Sequence, residues 1–102
     1  MQTQHSETGI LPPIIDDISR YVNIDKTSLI SKGIRSFLNE RKTGFLLDRL
    51  NLLSRYGVVS QEELEIGIRD GRISEHPAWE DLIAVENIES ELEKINGYLE
   101  NL

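Results

Sequence analysis

Few residues in this chain have chemistry to offer. There are two histidines, His5 and His76, no cysteine, and adjacent carboxylates such as Asp16-Asp17 and Glu62-Glu63. A metal site needs several donors converging at ligand spacing, and no His-x-x-x-His pair or thiolate is present. The histidines are far apart in sequence and sit in polar segments. Neighbouring positions on a helix point in different directions, so neither carboxylate pair forms a general acid and base working together. Serines occur without a Gly-x-Ser-x-Gly elbow, and glycines occur singly, so no phosphate-cradling loop is formed. No catalytic residue, metal ligand or cofactor site is expected, and the chain does not read as an enzyme. The residue that stands out is Trp79, the single tryptophan, set beside Pro77, Ala78, Leu82 and Ile83. A lone tryptophan near a helix start is more often a core residue than an interface anchor, although tryptophan is enriched among the residues that dominate protein interfaces.

The elements that must position these residues follow from apolar spacing. Pro12-Pro13 suits a first helical turn. Ile14, Ile15, Ile18, Tyr21 and Val22 then give a short helix over 13–23. A turn follows, with Asp25 or Thr27 placed to cap a second helix over 27–42. On that helix Leu29, Ile30, Gly33, Ile34, Phe37 and Leu38 form one stripe. Gly33, costly in a helix interior, reads equally as a close approach by another backbone or as a tolerated glycine. Thr43-Gly44 reads as an interruption, followed by a third helix marked by Phe45, Leu46, Leu47, Leu50, Leu53 and Tyr56 and closed at Gly57. Ser60-Gln61-Glu62-Glu63 is a capping box, with Val59 and Leu64 at the positions of a hydrophobic staple. After the helix it opens and a linker over 72–77, Val85, Ile88, Leu92, Ile95, Leu99 and Leu102 alternate in steps of three and four. The expected organisation is a region over 1–42, a helical connector over 43–71 and an acidic amphipathic helix over 72–102. The class is mainly α, with a short N-terminal ribbon strand or extended segment.

A chain of 102 residues is one domain, or a small domain with an appendage. Its net charge of −7 is divided unevenly. Residues 1–57 carry +2 and residues 58–102 carry −9, an asymmetry that suggests different partners for the two halves. Residues 1–7 lack the basic start and apolar stretch expected of a signal peptide, and no apolar run is long enough to span a bilayer. A cytoplasmic protein with no membrane partner is expected.

Residues 10–38 resemble the ribbon-helix-helix family of small dimeric DNA-binding proteins. The likeness lies in the order of parts. A leucine-proline start at 11–12 and a short amphipathic helix come first, and a turn follows. After the turn stand Thr27, Leu29-Ile30, Gly33 and Phe37-Leu38. The resemblance implies a homodimer whose paired strands enter double-stranded DNA, with Ser6, Thr8 and Ile10 facing the bases. It implies a phosphate clamp of Lys26, Thr27 and Ser28 at a helix start, and a dimer interface of Leu11, Ile18, Leu29, Gly33, Ile34 and Phe37. The strand segment over 4–11 holds Glu7 and Gly9 and no lysine or arginine. Phosphate charge would therefore fall to Arg20, Lys26, Lys32 and Arg35.

The C-terminal half is similar in style to the acidic helical tails of antitoxins, which wrap a basic toxin. That likeness implies partner contacts by Trp79, Leu82, Ile83, Val85, Ile88, Leu92 and Ile95 in an apolar groove. Glu80, Asp81, Glu86, Glu89 and Glu93 would face a basic rim. Two functional expectations result. One is an antitoxin-like regulator that dimerises, binds operator DNA and masks a toxin. The other is a small all-helical adaptor or assembly protein that binds another protein and no DNA.

Overall fold

A computed structural model of the chain describes residues 12–102. Among them are four helices and no strand: α1 (Pro13–Val22), α2 (Lys26–Ser54), α3 (Gln61–Arg69) and α4 (Glu75–Glu100). The expected ribbon strand, with Ser6, Thr8, Ile10 and Leu11, lies outside the described residues. The chain divides into two compact units, residues 1–36 and residues 37–102, with the division inside α2. The boundary expected at 42/43 instead falls within a continuous helix, and the one at 71/72 falls inside the second unit.

In the first unit, Pro13 occupies the first turn of α1, where a missing N–H costs nothing. Asn23 ends the helix in the left-handed conformation, φ 58°. The N–H groups of Asn23 and Ile24 return to the carbonyls of Arg20 (3.2 Å) and Ser19 (3.0 Å), satisfying groups the helix end would leave open. Asp25 caps α2, its Oδ2 accepting from the Ser28 N–H at 3.0 Å. No residue over 12–36 is buried.

α2 runs straight through Thr43-Gly44, where the sequence suggested a break. One glycine in a helix costs only about 1 kcal/mol. The half-buried residues Leu38, Lys42, Phe45, Arg49 and Leu52 keep stepping by four and three across Gly44, so a break would destroy a continuous packing face. Gly57, at φ 67°, then turns the chain.

The second unit is an antiparallel helical hairpin with α3 packed on it. Tyr56 meets Asp81 and Arg49 meets Glu89 at 2.9 Å, so the second half of α2 and α4 run in opposite directions. The capping box forms: Ser60 Oγ accepts from the Glu63 N–H at 3.1 Å, and Glu63 Oε1 accepts from the Val59 N–H at 3.0 Å. The staple does not. Val59 is 83% exposed, and its neighbour Val58 packs on the core in its place. Gly67 is buried under the following turn, where a Cβ would lie 2.5 Å from Ile73 Cδ1. The Ile73 N–H donates to the Gly67 carbonyl at 3.0 Å. His76 is extended (φ −114°), so regular α4 starts at Pro77.

The core consists of Leu53, Leu64, Ile68, Ala78, Leu82 and Val85, with Leu52, Tyr56, Val58 and Ile73 against it. Ile88, Leu92 and Ile95 are buried farther along α4. Among the described residues no polar or charged side chain is buried. A Leu82→Ala substitution is expected to destabilise the fold by about 2–5 kcal/mol, the usual range for truncating a core leucine. The exposed Val59→Ala should change stability by less than about 0.5 kcal/mol. Urea unfolding of both variants checks the pair.

Candidate protein-binding face

The helix that starts at Pro77 turns two kinds of residue in two directions. Leu82, Val85, Ile88, Leu92 and Ile95 point inward and are at most 9% exposed. This corrects their expected role as partner contacts. They are already packed within the second unit, and a partner could reach them only by pulling α4 out of its own core. Trp79 and Ile83 point outward. They are 48% and 47% exposed, and at i and i+4 they form one apolar patch on a single helix face.

Acidic side chains share this stretch of the helix. Glu75, His76 and Trp79 bound a shallow hollow of about 180 Å³. Glu80 Oε2 lies 3.2 Å from His76 Nδ1. Glu86 accepts from Gln61 Nε2 at 3.4 Å. Two of the expected rim carboxylates serve the fold instead. Glu89 pairs with Arg49 at 2.9 Å, and Asp81, whose side chain is only 16% exposed, pairs with Arg55 at 3.3 Å. Asp81 also accepts a hydrogen bond from the Tyr56 hydroxyl. Partial burial, with the acceptor carboxylate beside it, pushes Tyr56 up to about 12.

The sequence reading missed a second exposed apolar surface in this unit. Leu46, Leu50 and Val59, with Leu53, Val58 and Arg49, line a groove of about 280 Å³. Its signal was the width of the α2 stripe. Leu46 and Leu50 stay 37% and 61% exposed, so one packing face did not bury the whole stripe.

The expected phosphate clamp is engaged internally. The Ser28 N–H is taken by Asp25, a bond that holds the Asp25 carboxyl below its ordinary value. Lys26 Nζ is 3.0 Å from Asp16 Oδ1. A phosphate at this helix start would have to displace one carboxylate and compete with another. The expected dimer residues separate: Ile18 and Ile34 are exposed on the first unit, Leu29 is half-buried there, and Phe37 is exposed on the second. A Cβ built at Gly33 meets nothing within 4 Å, so no contact among the described residues requires that glycine. Among the described residues no group of three or more His, Cys, Asp or Glu side chains could hold a metal ion. Nor is any helix there long and apolar enough to cross a membrane.

Fold and surface together define a small helical protein whose second unit carries an aromatic patch among carboxylates. The chain belongs to the Uncharacterized protein MJ0235 family, whose model matches residues 5–102. No curated protein and no solved structure matches it.

The Tyr56–Asp81 bond has a pH consequence with a definite sign. An unfolded tyrosine releases its proton near 10, and folded Tyr56 keeps it to about 12. Its contribution to stability is therefore whole below pH 10 and declines as pH rises through 10–12. Urea unfolding across that window should show a falling midpoint, and Tyr56→Phe should flatten the fall. An equally steep fall in the variant would assign the loss to another group.

Proposed function

We propose that this protein is a small helical interaction module that binds a basic protein partner through the Trp79–Ile83 face of α4. The observation that carries this reading is the exposure of Trp79 and Ile83, both near half, on a helix whose other large apolar residues beside them are buried. A tryptophan on a solvent face adds little to its own fold and much to an interface. Glu75, Glu80 and Glu86 supply charge around it, and residues 37–102 hold the chain's acid excess. Opposite charge on the partner would speed encounter and select against acidic competitors.

This corresponds to the adaptor or assembly reading. The antitoxin-like reading asks more of the chain. It needs Leu82, Val85, Ile88, Leu92 and Ile95 to exchange their own core for a toxin's groove. It also needs Asp25 to yield the α2 amides to DNA phosphate.

Because Trp79 is the single tryptophan, its fluorescence reports on this face alone. Titrating the full chain with a lysine-rich amphipathic helical peptide should shift the emission to shorter wavelength and saturate. The effect should weaken with salt, and a glutamate-rich peptide of the same apolar pattern should give none. By calorimetry Trp79→Ala should lose about 2 kcal/mol of affinity, roughly 30-fold, with its urea midpoint unchanged. Undiminished affinity in that variant would move the binding site elsewhere. A lowered midpoint would make Trp79 a residue of the fold.

A further inference from the structure

We propose that two copies of the chain pair through α1, antiparallel, with Ile18 on the two-fold axis. The inference stands on the first unit and is independent of the Trp79 face. Ile14, Ile18, Tyr21 and Val22 are all exposed on α1, Tyr21 at 89%. With half-buried Ile15 they form one apolar stripe, and among the described residues none of the five is fully buried. Helices this short are marginal in water unless such a stripe is covered.

The register of the stripe suits a second copy. Ile14 and Val22 each stand four positions from Ile18, and Ile15 and Tyr21 each stand three. When two such helices are reversed about Ile18, Ile14 of one copy meets Val22 of the other, Ile15 meets Tyr21, and Ile18 meets itself. That self-complementarity is what a two-fold interface requires, and a foreign partner would not call for it. On one flank Asp17 and Arg20 pair at 2.7 Å. That pair closes within each copy, so the flank is neutral before the copies meet.

Charge selects the same unit. Residues 1–36 balance Glu7, Asp16, Asp17 and Asp25 against Arg20, Lys26, Lys32 and Arg35, so the net −7 falls wholly on residues 37–102. Copies meeting through the second unit would press like charge on like, whereas copies meeting through α1 would not.

The test uses the full chain, which has no cysteine. Sedimentation should show a dimer. Ile18→Asp should raise its dissociation constant about 30-fold or more, the effect of losing a central hot spot, with the urea midpoint of the second unit retained. Register is read by single cysteines and a short thiol cross-linker. Ile18→Cys should link to itself rapidly. Ile14→Cys should link to Val22→Cys in a mixture faster than to itself. Tyr98→Cys, exposed on the second unit, should link slowly. A monomeric parent chain, a dimer indifferent to Ile18→Asp, or equal linking at positions 18 and 98 would each overturn the proposal.

Discussion

An apolar side chain already out of water has no further hydrophobic free energy to give to a partner. That constraint governs this protein, because the stripe Ala78, Leu82, Val85, Ile88, Leu92 and Ile95 is buried within the unit that carries it. Everything else in the unit serves its burial. Unbroken α2 offers a facing surface over several turns. The Ser60 cap fixes where α3 starts and so brings Leu64 and Ile68 under the start of α4. The absence of a side chain at Gly67 lets the following turn close over α3 until Ile73 lies against it. What α4 has left to offer is its outer face, and there the chain places Trp79 and Ile83.

The polar groups divide in the same way. Arg49 and Arg55 reach across to Glu89 and Asp81 on α4. Arg69, Arg72 and Lys94 pair with carboxylates close in sequence. Pairs this exposed add little to stability. Their larger effect is to occupy cations, so the surplus carboxylates of the second unit are left at the surface. Glu75, Glu80 and Glu86 belong to that surplus, and they lie on the stretch of helix that holds the exposed tryptophan. Tyr56 is the exception among the polar contacts. Its hydroxyl is drawn toward the core and ties α2 to Asp81, where partial burial makes the bond matter more than a surface pair.

Local signals in the sequence translated well into structure. Proline at the start of α1, the Ser60 capping box, glycine after α2 and the long stepped pattern of α4 each specify a boundary or a face through nearby atoms alone. Signals that depend on a neighbour did not. Gly44 marks a break only if nothing continues the stripe beyond it, and Phe45, Arg49 and Leu52 continue it. The α4 stripe reads equally well as free or covered, since periodicity shows that a face is apolar and not what lies on it. At the start of α4 the covering surface came from Leu53 of α2 and from Leu64 and Ile68 of α3, neighbours that the spacing within α4 does not name. The staple failed for a smaller reason: Val58 and Val59 are both apolar, and the turn after Gly57 turns the first inward.

The two units differ in how completely they satisfy themselves, and that difference bears on how one short chain can serve two associations. The second unit has a core, a strong negative charge and, on the outer side of α4, the exposed Trp79 and Ile83. The first unit has no buried residue over 12–36, no net charge and a short helix whose apolar residues are arranged symmetrically about Ile18. Its free energy of folding is therefore tied to whatever covers that helix, by the same mass action that makes obligate dimers depend on protomer concentration. The proposed self-association through α1 and the proposed partner binding at Trp79 thus draw on different residues, one set in each unit.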